Sequence, residues 1–186
     1  IISIHPLPSD DEADKRDMAC ADIDGDALTD MVVTNPAHGQ FLVFRGQSEA
    51  GLGPATAYPG LKGMQKVCAV RLDKSPGDTL VVLSVDEKLI ALTRFESGRL
   101  QFPQTVMVEG EPQAMDVADL NGDGEPDLAY VTKGTADDAD AYWLRSILSV
   151  GGSSATPGPS LALTQVRDKP QDLIACDIDH NGDMDL

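Results

Sequence analysis

At 186 residues the chain can hold one ordinary domain or part of a larger one, and its 41% apolar content is enough for a core. Aromatic residues are only 4%, so small aliphatic side chains must fill that core. Thirty-one acidic residues against 14 Lys and Arg give a formal charge of −17. That excess excludes nucleic acid as a partner, since phosphates need cations, and it suits a protein that binds cations or stays soluble by self-repulsion. No apolar run approaches the roughly 18 residues of a membrane span.

In chain order, RDMACA (16–21) leads into an acidic turn, DIDGDALTDM (22–31). The runs DMVVT and QFLVF follow, then a Gly/Pro-rich stretch, AGLGPATAYPG (50–60), which reads as a connection. QKVCAV (65–70) leads into RLDKSPGDTLVV, whose turn has lost most of its acids. TLVVLSV, KLIALTRF and RLQFPQTVMV precede QAMDVA (113–118) and a second acidic turn, DLNGDGEPDL (119–128). Beyond it lie KGTADDADAYW (133–143) and GGSSATPGPS (151–160), read as a surface insertion and a flexible connection. QDLIAC (171–176) and a third acidic turn, DIDHNGDMDL (177–186), complete the chain. The apolar runs are short, rich in Val, Leu and Thr, and bounded by Gly, Pro, Asn or Asp, the pattern of strands. None keeps a helical period for ten residues.

The four turns start at Asp22, Arg71, Asp119 and Asp177, which are 49, 48 and 58 residues apart. A period near 48 with about four strands in each predicts an all-β fold, a β-propeller fragment of three to four four-stranded blades spanning 1–186. The apolar pairs Met18/Cys20, Val67/Ala69, Met115/Val117 and Leu173/Ala175 precede the turns at alternate positions and should face neighbouring units. Cys20, Cys68 and Cys176 form no CxxC pair, which argues against zinc or a disulfide framework; each sits in an apolar run and is expected as a buried thiol. Ile1 follows no Met or charged-then-apolar leader, and Leu186 stands where a strand should begin, so we expect an excerpt from a longer polypeptide.

Crowded carboxylates repel, and a hard cation removes the conflict. Ca²⁺ takes six to eight oxygens in flexible geometry, whereas Mg²⁺ demands a stricter octahedron. Positions 1, 3, 5 and 9 are Asp22, Asp24, Asp26 and Asp30 in the first loop, and Asp119, Asn121, Asp123 and Asp127 in the second. In the third they are Asp177, Asp179, Asn181 and Asp185. Position 7, held by Leu28, Glu125 and Asp183, varies in chemistry and suits a backbone-oxygen ligand. Gly124 and Gly182 at position 6 permit a left-handed turn; Ala27 takes that place in the first loop. The loop at 71 offers Arg71, Asp73, Ser75 and Thr79 and is expected to be metal-free. Acidic turns are common in solvent, but three in one register point to metal. Val33 and Tyr130, at position 12, replace the Glu an EF-hand requires, and glycine-rich nonapeptides of the RTX kind are absent.

DIDGDALTDMVV, DLNGDGEPDLAY and DIDHNGDMDL resemble the calcium loops of FG-GAP/VCBS repeats, the blades of integrin-α-like β-propellers. The Phe-Gly…Gly-Ala-Pro element that names the family has only a weak echo in GLGPATAYPG (51–60). The resemblance implies structural Ca²⁺ at the residues above, a seven-bladed ring of which this chain supplies part, and secretion to the periplasm, cell surface or exterior. It implies adhesion, recognition or scaffolding, with the remaining blades and an extracellular protein or glycan as partners. The alternative is the propeller portion of a larger secreted enzyme. His5, His38 and His180 are scattered and form no constellation with a carboxylate, Ser or Cys, so no catalytic residue is expected.

Overall fold

The Val, Leu, Ile and Thr runs become strands that pair with their neighbours in sequence. The computed structural model describes residues 7, 12–48, 51–72, 75–134, 141–152 and 155–186. A first antiparallel sheet runs β1 (Met18–Ala21), β2 (Asp30–Asn35), β3 (Gln40–Gln47), β4 (Gly51–Pro59). The second contains β5 (Met64–Val70), β6 (Thr79–Ser84) and β7 (Leu89–Thr93). A small hairpin, β8 (Phe95–Glu96) with β9 (Arg99–Leu100), then precedes its last strand, β10 (Gln104–Val106). The third sheet runs β11 (Glu111–Ala118), β12 (Asp127–Lys133), β13 (Tyr142–Leu148), β14 (Thr156–Ala162). A fourth unit starts with the antiparallel bridge Cys176–Asp185 around the last acidic loop.

The sheets pack face to face, and β6 shows why its sequence does not alternate. All six of its residues are buried. Leu80 and Val82 join Val32, Phe41 and Val43 of the first sheet in one core, while Val81 and Leu83 join Met115, Leu128 and Tyr130 of the third in another. A strand apolar on both faces is the signature of a sheet covered on both sides. First strands of successive units are also tied by side chain to backbone. Val67 N–H donates to Asp17 Oδ2 at 2.9 Å, and Ala175 N–H to Asp116 Oδ2 at 2.8 Å.

The apolar line before each turn behaves as expected where a preceding sheet exists. Val67 is 3% exposed and Met115 0%, with Ala69 and Val117 packed into the same two cores. Leu173 packs on Ala114, Val131 and Tyr142 of the third sheet. Met18, by contrast, is 61% exposed, because no described sheet precedes β1.

Several expectations need correction. AGLGPATAYPG and the second half of GGSSATPGPS are not connections: Gly51–Pro59 is β4 and Thr156–Ala162 is β14. Both are edge strands, where Pro54, Pro157 and Pro159 need donate to no outer neighbour. Cys20 and Cys176 are exposed and only Cys68 is partly buried; Cys20 sits on the open face with Met18. KGTADDADAYW lengthens the β12–β13 hairpin, with residues 135–140, like His5, Asp73 and Lys74, outside the described set. Among the described residues no helix is long and apolar enough to cross a membrane.

Candidate metal centre

Each sheet joins its first two strands through one of the loops singled out above. In all three acidic loops position 1 organises the turn by accepting backbone N–H groups. Asp22 Oδ1 accepts from Gly25 and Asp26 at 2.8 and 3.1 Å, and Oδ2 from Ala27 at 3.0 Å. Asp119 does the same with Gly122, Asp123 and Gly124 at 2.8, 3.1 and 2.8 Å. Asp177 accepts from Asn181 and Gly182, both at 3.0 Å. Position 3 accepts from the N–H of position 5: Asp24 from Asp26 at 3.2 Å, Asn121 from Asp123 at 2.9 Å, Asp179 from Asn181 at 3.1 Å. Position 5 accepts from position 7: Asp26 from Leu28 at 2.9 Å, Asp123 from Glu125 at 2.8 Å, Asn181 from Asp183 at 2.7 Å. This is a nested series of Asx turns, and it folds three different sequences into one shape.

Position 9 has a second task. Asp30 and Asp127 are fully buried. Asp30 Oδ2 accepts the Ile23 N–H at 3.0 Å and Oδ1 the Gly46 N–H of β3 at 2.8 Å. Asp127 accepts from Leu120 at 3.0 Å and from Ser149, just past β13, at 2.8 Å. Asp185 holds Ile178 N–H at 3.0 Å. Asp30 and Asp127 thereby fasten their loops to the rest of the unit, and each oxygen retains a lone pair for a cation. Burial pushes the Asp30 carboxyl above its ordinary range, opposed by the Gly46 and Ile23 N–H groups and assisted by the charges of Asp24 and Asp26.

The backbone pays for the turn at two positions, of which the sequence reading identified one. Position 6 is left-handed throughout: Ala27 at φ 66°, Gly124 at 85°, Gly182 at 97°. Position 4 is left-handed as well, with Gly25 at 81°, Gly122 at 75° and His180 at 60°. Glycine at 25 and 122 was the available signal; His180 obscured it.

Two groups of carboxylates could each hold a divalent cation. Asp22, Asp24 and Asp30 bring oxygens within 4.8 Å of one another, as do Asp177, Asp179 and Asp185. In the second loop Asn121 stands where the other two have Asp24 and Asp179, so a carboxylate is replaced by an amide at that position. Asp26 stands outside the first group, and Asp183 and Glu125 outside any such group. Leu28, Glu125 and Asp183 lie in the last turn of their loops, where their N–H groups are bound by position 5.

Two arginines complete the picture: Arg45, which spacing could not reveal, and Arg71, whose place it showed but whose bonds it did not. Arg45, from β3, pairs through Nη2 with Asp24 Oδ2, lies 3.9 Å from Asp26 Oδ2, and stacks 5.6 Å from the Phe95 ring centroid. A metal entering the first loop must compete with that guanidinium. In the loop at 71 the cation is built in: Arg71 Nε donates to Asp78 Oδ1 at 2.6 Å, and Nη1 to the Ser75 and Pro76 carbonyls at 2.8 and 2.6 Å. This loop braces the first one, since Asp78 N–H donates to the Asp22 carbonyl at 2.7 Å. A Cβ on Gly77 would lie 2.2 Å from the Ile23 carbonyl oxygen, so only glycine fits there. No protein-family model matches the chain, and no curated protein matches it.

Proposed function

We infer that the chain is a run of successive blades of a calcium-stabilised β-propeller of the FG-GAP/VCBS kind, serving adhesion, recognition or scaffolding and not catalysis. The observation that carries this reading is the hydrogen-bond pattern shared by the loops at 22, 119 and 177, which in the first and third gathers three carboxylates at the same loop positions. Calcium is favoured over magnesium because an irregular loop suits its flexible coordination, whereas Mg²⁺ demands a near-ideal octahedron. Its role is to neutralise the carboxylates and lock the first two strands of each unit together. Loops of this kind fill where calcium is abundant, which favours the periplasm, the cell surface or the exterior as the protein's location. The remaining blades of the ring, and an extracellular protein or glycan, are its partners. Of the described histidines, His38 lies 3.4 Å from Asn35 Oδ1 and His180 sits inside a loop, and neither is proposed to be catalytic.

Isothermal titration of the protein with CaCl₂ tests the reading. The expected result is binding that Mg²⁺ at equal concentration does not displace. Asp123→Asn and Asp179→Asn should each remove or weaken one site, because the amide keeps the turn's acceptor but loses the charge. Absence of calcium binding, or equal affinity for Mg²⁺, contradicts it.

A further inference from the structure

We propose that the end of the sheets opposite the acidic loops carries a binding cavity for an acidic saccharide unit. This names a ligand class for the recognition role inferred above and rests on that role, but it uses none of the loop residues. The first strands β1, β5 and β11 and the segment before Cys176 all end in their acidic or Arg71 loops. Toward their opposite, N-terminal ends they converge on a cavity of about 590 Å³. That size lies within the range of small-molecule sites, roughly 300–1,000 Å³.

The lining is built by register. Arg16, Gln65, Gln113 and Gln171 each stand six residues before the start of their own loop, and all four line the cavity. One residue further along stand Asp17, Lys66, Ala114 and Asp172. Because Ala114 is small, Lys66 of the second unit reaches past the third to Asp172 of the fourth, 2.8 Å away. Burial lowers the Lys66 ammonium, yet the Asp172 hydrogen bond and the charges of Asp172 and Asp17 carry it above its ordinary value.

The chemistry of the wall selects the ligand. In a chain with 14 cations and 31 acids, the described residues of the cavity wall gather four cations, Lys15, Arg16, Lys66 and Lys169, against three carboxylates. Lys66 is committed to Asp172 and Lys15 to Glu12. The side chains of Lys169, Asp14 and Gln65 make no hydrogen bond or ion pair with a described residue. They offer one cation for a carboxylate, one acceptor for hydroxyls, and one amide that both donates and accepts. Among the described residues no aromatic ring lines the cavity, which disfavours a nucleobase or other flat ligand. A sugar carrying a carboxylate satisfies all three uncommitted groups, whereas a neutral sugar leaves Lys169 unmatched.

The test is a glycan array bearing uronate- and sialate-containing oligosaccharides beside neutral ones, probed with the protein in CaCl₂ at low salt. Retention of acidic glycans is expected, with neutral counterparts bound about tenfold more weakly, as loss of a charge-assisted hydrogen bond implies. Lys169→Gln, at an exposed position, should lower that retention about tenfold at unchanged melting temperature, and Gln65→Ala should lower it further. Equal retention of neutral glycans, no retention of any acidic glycan, or displacement by a zwitterionic dipeptide overturns the proposal. So does a Lys169→Gln variant that binds like the parent. Calcium binding by the loops is read separately by titration, so either reading can fail alone.

Discussion

At the scale of single residues, the loops show what composition alone conceals: Asp is used for three different purposes within nine positions. Position 1 shapes the turn, positions 3 and 5 continue it, and position 9, in the first two loops, is buried and fastens the loop to the third strand or the residue just past it. The repeated spacing made all of them legible as candidate metal ligands; the fastening role was not, because Gly46 and Ser149 lie far away in sequence. Ala27 at φ 66° and His180 at φ 60° occupy a region that costs an L-residue about 1 kcal/mol. Ala27→Gly should therefore stabilise the protein by a few tenths to about 1 kcal/mol, seen as a raised urea midpoint at constant slope; a lowered midpoint would count against the strain. The thiols give a second residue-scale prediction. Burial, the nearby Asp116 charge and its hydrogen bond push the Cys68 thiol up to about 12, whereas Cys20 and Cys176 are exposed. At pH 8 a disulfide reagent should modify two thiols quickly and the third only on unfolding. Because Cys68 ionises at a higher pH folded than unfolded, its stabilising contribution is whole below pH 9. It is lost as pH rises from 9 toward 12.

At the scale of elements, central strands were easy to read and edge strands were not. β2, β6 and β12 are continuous apolar runs because neighbouring sheets or strands cover them. β4 and β14 carry Gly and Pro, which normally signal a connection, and only their place at a sheet edge makes those residues acceptable. The same principle of local context governs the loop at 71. Its sequence shows that the acids are missing, yet it does not say that Arg71 would fill the loop with its own charge. Packing between sheets should dominate stability. Leu83 is 1% exposed in the core shared by the second and third sheets. Leu83→Ala should cost about 2–5 kcal/mol by chemical denaturation, and a loss below about 1 kcal/mol would show that these sheets do not share a core.

At the scale of the whole molecule, the chain is a row of similar antiparallel units in which each unit's first strand buries an apolar line on the unit before it. The row explains why Met115 is buried and its counterpart Met18 is not. It also places the acidic loops at one end of the first strands and the mixed-charge cavity at the other, so the proposed cohesion and the proposed recognition fall at opposite ends. If calcium is the link that holds the loop end together, it binds only the folded state and must raise stability with its concentration. The most direct measurement is therefore the melting temperature of the protein, by scanning calorimetry, across a CaCl₂ series from EDTA to several millimolar. Calcium cohesion predicts a progressive rise that is smaller in the paired Asp123→Asn, Asp179→Asn variant and little reproduced by MgCl₂. A melting temperature that is the same in EDTA and in calcium would contradict it.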